Sequence, residues 1–197
     1  MTQTPRNPRR RRFLKTAVSA AATGALVSCG RAGSQWRFFS TEEAKTVEAI
    51  SERFIPADQD PGAAWAGVVR YIDRQLAVCF KFRVFRELYR QGLAGIDQTS
   101  TALFHARFVE LTSEQQGAVL KALARGKPPG EIWKQVSAQQ FFDMVLNHAM
   151  QGYYGDPRHG GNRDGVGWRT LGIPLTPVRG REQFDLRSLP RATGGAS

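Results

Sequence analysis

A glycine-rich stretch near the C-terminus holds the densest set of residues that could do chemistry. The stretch YYGDPRHGGNRDGVGWRTLG, residues 153–172, mixes glycines with charged and aromatic side chains. A glycine-rich loop binds a dinucleotide when a strand precedes it and a helix with the third glycine of G-x-G-x-x-G comes after it. Here a predicted helix precedes the stretch, the third glycine after Gly165-x-Gly167 is missing, and no Gly-Lys-Ser/Thr ends it. We therefore expect no nucleotide site.

The histidines and cysteines do not predict a metal or haem site. His105, His148 and His159 show no paired spacing, and the Pro157 between Asp156 and His159 prevents those two from sharing a helix face. A covalently bound haem needs Cys-x-x-Cys-His, and iron–sulfur clusters need several cysteines. We expect no catalytic residue, no metal ligand and no cofactor in this chain. A single histidine on a helix, such as His148, is expected to be a hydrogen-bonded structural residue.

Two carboxylates, Asp58 and Asp60, lie in the sequence ADQDPG. They could bind calcium, but Asp, Pro and Gly together favour a turn that ends a helix. Neither a nucleophile elbow nor a Cys–His pair is evident. An enzyme whose site follows none of these patterns is the alternative to a non-catalytic role.

The N-terminus carries much of the positive charge. The chain has a net charge of +11, and residues 1–29 contain six basic residues and no acid. Within them, Arg10-Arg11-x-Phe13-Leu14 resembles a twin-arginine export signal, with a disordered basic tail as the alternative. The adjoining apolar stretch is too short to span a membrane stably. Because the charge is concentrated in this segment, we do not expect a nucleic acid partner.

The export segment ends in a candidate lipidation site. Leu26-Val27-Ser28-Cys29 resembles a lipoprotein cleavage box, and ordinary cleavage nearby, for example after Ala32, is the alternative. If Cys29 is acylated, only Cys79 remains and no intrachain disulfide can form. Cys79 is predicted to be a core residue. The predicted organisation is an export signal over residues 1–32, a helical domain over 33–174 and an irregular tail over 175–197.

Apolar spacing and capping residues predict an all-α fold, a small bundle of about five helices. Capping boxes open helices at Ser40 and Thr112, and Ser137 with Gln140 opens the last one. The apolar stripe from Trp65 to Phe80 has helical spacing and predicts one continuous helix. A third helix is predicted over residues 83–93, whereas residues 94–111 predict a turn and short helical pieces.

After residues 151–152 no helical or strand periodicity remains. The last 45 residues or so predict a long irregular C-terminal arm, rich in glycine and aromatic residues. Such an arm is either disordered or lies on a partner, and Trp168, Tyr153, Tyr154 and Phe184 argue against plain disorder. The twin-arginine route exports folded proteins, yet no cofactor site is visible here. The combination indicates a chain that escorts a folded, cofactor-loaded partner.

Two segments resemble subunit 3 of gluconate 2-dehydrogenase, a family of small subunits of membrane-bound sugar and polyol dehydrogenases. They are FIPADQDPGAAWAGVVRYID and GYYGDPRHGGNRDGVGWRTLGIP, and the resemblance covers residues 40–174. His159 stands where an aromatic residue, often tyrosine, is expected. The resemblance implies a catalytic partner of the glucose–methanol–choline type that holds FAD, and a multihaem cytochrome c subunit. It further implies that the small subunit assists maturation and export of the flavoprotein through the twin-arginine translocase, in the periplasm at the inner membrane.

The glycine-rich stretch is accordingly interpreted as a partner interface. Glycines allow close approach of backbones, and tyrosine and tryptophan are frequent anchors in interfaces. In the alternative, the stretch folds back on its own bundle with Trp168 capping the core. A second alternative for the whole chain is an envelope lipoprotein with a structural or binding role. The predicted interface residues are Tyr153, Tyr154, Asp156, Pro157, Gly160, Gly161, Asn162, Trp168 and Gly172.

Overall fold

The computed structural model describes residues 35–173. The predicted export signal and C-terminal tail lie outside the described residues. So do the residues predicted for export, Arg10, Arg11, Phe13 and Leu14, and the candidate lipidation site Cys29.

The described residues form an all-α fold, as predicted, and contain no strand. Short 3₁₀ turns join the helices at Phe80–Phe85, Phe108–Glu110, Glu131–Lys134, Pro157–His159 and Arg163–Gly165. The α-helices are α1 (Thr41–Phe54), α2 (Ala63–Ala66), α3 (Val68–Val78), α4 (Arg86–Phe104), α5 (Ser113–Ala124), α6 (Ala138–Tyr154) and α7 (Val166–Thr170).

The predicted helix starts are confirmed by their caps. Ser40 and Glu43 form a capping box before α1, and Thr112 and Gln115 form one before α5. The Ser137 hydroxyl accepts the Gln140 N–H at the start of α6. In each case a side chain satisfies a backbone N–H that has no partner within the helix.

The prediction of one continuous helix through the apolar stripe is wrong, because the helix breaks at a single residue. Gly67 has a φ of +78°, a left-handed conformation that glycine adopts without strain, and it divides the stripe into α2 and α3. The rotation at this break leaves Trp65 exposed, and because α3 ends at Val78, Phe80 is exposed as well. Cys79 is correspondingly a half-buried free thiol at the end of α3, not the core residue that was predicted.

The turn and short helical pieces predicted over residues 94–111 are wrong up to Phe104, because α4 runs without interruption to that residue; beyond it the chain turns at His105 and forms the 3₁₀ helix Phe108–Glu110, as predicted. Two glycines on α4 allow neighbouring rings to approach. A Cβ at Gly92 would lie 2.1 Å from the Phe141 ring, and one at Gly95 would lie 2.5 Å from Trp133. Tertiary packing therefore overrides the weak helix propensity of this segment.

Helix α6 is the central element of the bundle and extends to Tyr154, slightly beyond its predicted end. It contacts α1, α2, α3, α4, α5 and α7. The core that these helices enclose includes the fully buried side chains Val47, Ile50, Ile72, Leu76, Tyr89, Ile96, Phe108, Val119, Leu123, Phe141 and Val145. The last turn of α6 forms the platform on which the next residues of the chain pack.

Candidate docking surface

Residues 155–173, hereafter the C-terminal segment, fold as tight turns against α6, α2 and α3. The Asp156 side chain accepts the Arg158 N–H, and Pro157 occupies the first turn of the short 3₁₀ helix there. Left-handed residues then reverse the chain, among them Gly160 and Asn162, with φ of +103° and +45°. No periodicity predicts these turns, because each depends on a local side-chain cap or on a residue that tolerates positive φ.

Two glycines allow the C-terminal segment to pack directly on the backbone of α6. A Cβ at Gly161 would lie 2.1 Å from the Gly152 carbonyl oxygen, and one at Gly167 would lie 2.3 Å from that of Tyr153. Distances this short are excluded for any side chain. The glycines therefore serve close backbone contact, as predicted from the sequence, but the contact is with the chain's own helix.

Asn162 is fully buried and joins the start of the C-terminal segment to α7. Its amide nitrogen donates to the Gly155 carbonyl at 2.7 Å, and its carbonyl oxygen accepts the Gly167 N–H at 2.8 Å. The Trp168 indole N–H donates to the Tyr154 carbonyl at 2.7 Å, which satisfies an acceptor at the end of α6. These bonds hold the segment in one conformation on the bundle.

The tyrosine pair at the end of α6 is also engaged within the fold. Tyr153 is buried, and its hydroxyl donates to the Pro61 carbonyl at 2.7 Å; burial raises the pKa of this phenol. The Tyr154 ring lies edge-on to it, with ring centres 4.9 Å apart. The pair thus ties the last turn of α6 to the turn that precedes α2.

Asp156 forms an ion pair within its own turn. The Arg158 guanidinium and backbone N–H both donate to this carboxylate, and they lower its pKa to about 2. The Arg158 carbonyl in turn accepts a hydrogen bond from the Arg74 guanidinium at 2.8 Å, which links the turn to α3. Asp156 is therefore ionised over the physiological range and is already paired.

The structure thus separates the predicted interface residues by their exposure. Tyr153, Gly161 and Asn162 are inside the fold and present no surface, as the fold-back alternative requires. The half-buried members are Tyr154, Asp156, Pro157 and Trp168, and the exposed members are Gly160 and Gly172.

Three exposed apolar side chains lie on the C-terminal segment and on α2 beside it. Leu171 is 58% exposed, and Ile173 and Trp65 are exposed as well. The Arg163 guanidinium lies 5.3 Å from the centre of the Trp65 ring, a cation–π contact between the two elements. We call Trp65, Arg163, Leu171 and Ile173 the docking surface. Leu171 and Ile173 were not among the interface residues predicted from the sequence. They are exposed because α7, with five residues, offers too little area to bury the apolar residues beyond its end.

His148 is buried among aromatic rings. Its Nδ1 lies 3.1 Å from the Tyr89 hydroxyl, and the rings of Phe82 and Phe85 are 4.6 and 4.9 Å away between centres. Burial lowers the pKa of His148 to about 4. The imidazole is therefore neutral at physiological pH and has the hydrogen-bonded structural role expected of it.

A concave apolar groove of about 220 Å³ lies between α1, α5 and α6. Phe54, Leu120 and Phe142 line it, and Gly117 leaves it open because a Cβ there would meet nothing within 4 Å. The side chains of Arg53 and Lys121 also line the groove. The groove shares no residue with the docking surface.

Neither a metal centre nor a membrane span occurs between residues 35 and 173. No three histidine, cysteine, aspartate or glutamate side chains of this region gather where they could hold a metal ion. None of its helices is long and apolar enough to cross a bilayer. Asp58 and Asp60 form a turn in which the Asp58 carboxylate accepts the Asp60 N–H at 3.0 Å.

Comparison with known protein families identifies a family to which this chain is similar. The model of the family described as gluconate 2-dehydrogenase subunit 3 matches residues 41–174. The matched range begins with α1 and includes the whole C-terminal segment. No curated protein and no solved structure matches the chain.

Proposed function

The chain belongs to the gluconate 2-dehydrogenase subunit 3 family, and from that premise we propose that it assists the folding and twin-arginine export of an FAD-dependent catalytic subunit. Membership makes it an accessory subunit of a gluconate dehydrogenase-type complex. The proposed catalytic partner is of the glucose–methanol–choline type, and a multihaem cytochrome c subunit completes the complex. The proposed location is the periplasm, at the inner membrane.

The docking surface is the observation that carries this proposal. Exposed leucine, isoleucine and tryptophan side chains, the last in contact with an arginine, have the composition of a protein interface. Buried hydrogen bonds of Asn162 and backbone packing at Gly161 hold that surface rigid before a partner binds. A surface that is already ordered loses little conformational entropy on association, which favours tight binding.

The N-terminal arginines support the export part of the proposal. The described residues contain no cluster of side chains that could hold a metal ion, so this part of the chain gives no reason of its own for export in the folded state. A twin-arginine signal is explained if the folded flavoprotein is exported together with this chain. The signal would then serve a partner that carries none of its own. The guanidinium pair is recognised by its geometry, which lysine does not reproduce.

Cell fractionation tests this proposal. Changing Arg9, Arg10, Arg11 and Arg12 together to lysine covers every register of the arginine pair and preserves the charge. The catalytic subunit and its dehydrogenase activity should then stay in the cytoplasm, whereas the control Arg6→Lys should leave both in the periplasm. Undiminished periplasmic activity in the quadruple variant would show that the flavoprotein is exported without this chain.

A further inference from the structure

The most exposed apolar side chains of the described residues lie together at the end of α3. Phe80 is 79% exposed and Val84 is 75% exposed, and Val78 is exposed just before them. Lys81 and Arg83 are interleaved with them and are also exposed. We call these five residues the 78–84 patch.

Half-buried aromatic rings that pack against the core hold the patch in place from beneath. Within the same 3₁₀ turn, Phe82 and Phe85 point inward, with ring centres 5.9 Å apart, and both contact the buried imidazole of His148. The inward rings fix the turn, so Phe80 and Val84 are held out from the bundle. A six-residue turn spans only about 12 Å, so the outward residues form one small convex surface.

The charge of this region is positive throughout. From Arg74 to Arg86 the chain has four basic residues and no acid. The acids on either side are already engaged: Asp73 accepts three backbone N–H groups, and Glu87 accepts the Gln91 amide. The Arg83 guanidinium lies 5.9 Å from the centre of the Phe80 ring, so cation and ring are presented together.

The chain joins the domain next to this patch. Asp73 on α3 binds the backbone N–H groups of Arg37, Phe38 and Phe39 at 2.9–3.0 Å. Arg86 bridges the two places: its guanidinium donates to the Leu76 and Ala77 carbonyls near the end of α3 and lies 5.7 Å from the centre of the Phe38 ring. Residues 37–39 are therefore held beside the end of α3, and the side chain of Arg86 contacts both.

That position relates the patch to the candidate lipidation site. Cys29 precedes Phe38 by only nine residues, which span at most about 30 Å when fully extended. A membrane attachment through the N-terminal segment would hold the 78–84 patch close to the bilayer. Such an attachment would keep lipid at a high local concentration beside the patch, so even a weak second contact there would strengthen membrane binding.

We propose that the 78–84 patch binds an anionic phospholipid surface. Phe80 and Val84 enter the boundary between headgroups and acyl chains, and Lys81 and Arg83 lie at the lipid phosphates. The patch shares no residue with the docking surface, so the inference does not rest on the proposed function. We favour a lipid surface over a protein because the patch faces outward, is uniformly cationic and lies beside residues 37–39, where the N-terminal segment joins the domain.

Vesicle cosedimentation with the full chain tests the inference. The chain carries Cys29→Ser so that acylation cannot contribute, and the vesicles are phosphatidylcholine alone or with about one quarter phosphatidylglycerol. Phe80→Ser with Val84→Ser should weaken binding to the anionic vesicles about tenfold or more, because both side chains lose apolar burial. Lys81→Gln with Arg83→Gln should weaken it about thirtyfold, from roughly 1 kcal/mol for each cation.

A matched control separates the patch from general exposure of apolar residues. Leu171→Ser with Ile173→Ser removes two exposed apolar side chains elsewhere and should leave vesicle binding unchanged. The basic N-terminal segment is present in every variant and contributes equally. Unchanged vesicle binding by both patch variants would overturn the inference. A second outcome would also overturn it: the Phe80→Ser, Val84→Ser variant binds vesicles normally but no longer binds the catalytic subunit. The patch would then be a protein interface.

Discussion

Replacing Gly161 by alanine should destabilise the domain strongly, although alanine adds one methyl group. That methyl group would lie 2.1 Å from the Gly152 carbonyl oxygen in the last turns of α6, whereas ordinary contacts to a Cβ begin at about 3.4 Å. The C-terminal segment must therefore move away by more than 1 Å. The obstacle is backbone on both sides, so no side-chain rotation can relieve the overlap.

The cost of this movement can be estimated from the contacts that it breaks. Overpacking of a closely packed site costs about 1–3 kcal/mol. The hydrogen bonds of Asn162, at 2.7 and 2.8 Å, connect the two sides of the same turn and lengthen when the turn moves. Each buried hydrogen bond contributes about 1 kcal/mol net. Together these losses lower the free energy of unfolding by roughly 3–5 kcal/mol, or on the order of 10 °C in Tm for a domain of this size.

The same substitution at Gly117 is the matched control. Gly117 lies in the middle of α5, and a Cβ there meets nothing within 4 Å. Gly117→Ala should raise the free energy of unfolding by about 0.5–1 kcal/mol, because alanine loses less backbone entropy in a helix than glycine does. The two glycine-to-alanine changes should thus shift stability in opposite directions.

Thermal and denaturant unfolding, followed by circular dichroism at 222 nm on the full chain, measures both variants. Gly161→Ala should move the transition down without removing the bundle's helicity. A Gly161→Ala protein as stable as the unchanged chain would refute the direct packing of the C-terminal segment on α6. Equal losses at both glycines would show that the effect is not specific to that contact.

Three further predictions concern single side chains. Because the pKa of His148 is about 4 in the folded state and about 6.5 when unfolded, the unfolded chain binds an extra proton as pH falls through this window. Stability should fall by up to about 3 kcal/mol between pH 6.5 and 4, and His148→Gln should remove this dependence in denaturant titrations. Asp73→Asn should cost about 2 kcal/mol, with faster hydrogen exchange at residues 37–39, because the carboxamide supplies one acceptor oxygen for three N–H groups. Trp168→Phe should lower unfolding free energy by about 1–2 kcal/mol, since the Tyr154 carbonyl loses its donor; unchanged stability would contradict that role.

Features that depend on neighbouring residues could be predicted from the sequence. The caps at Ser40, Thr112 and Ser137 require only a side chain and a backbone N–H three residues apart, so their spacing suffices. The break at Gly67 could not be predicted, because the apolar stripe keeps its helical spacing across it. A single glycine inside a helical pattern is compatible with either a continuous helix or a left-handed turn.

Features that depend on distant contacts could not be predicted. The α4 segment around Thr99 and Ser100 has turn-forming residues, but these hydroxyls donate to carbonyls one turn earlier, at Gly95 and Ile96. Thr99 also lies 2.8 Å from the Trp133 indole nitrogen, a contact made only in the folded bundle. Propensity alone therefore favours a turn where packing produces a helix.

The sequence indicated a segment that makes close contacts, but not which of its residues are buried and which are exposed. Glycine and aromatic content indicated close contacts around Gly161 and Trp168, yet composition does not distinguish a contact with a partner from a contact with the chain's own α6. The interior position of Asn162 follows from its two long-range hydrogen bonds. The exposed residues Leu171 and Ile173 became evident only once the short length of α7 was known.

The most direct test of docking through the C-terminal segment is the affinity of the purified chain for the proposed FAD-dependent catalytic subunit. Leu171→Ser with Ile173→Ser should weaken binding by about 2–4 kcal/mol, or roughly thirtyfold to a thousandfold in Kd, if these residues are interface hot spots. The control Leu103→Ser removes a leucine that is 42% exposed on α4 and should change the affinity less than about twofold. Circular dichroism should show all variants folded. An unchanged Kd for the double variant, or an equal loss in the control, would contradict docking through the C-terminal segment.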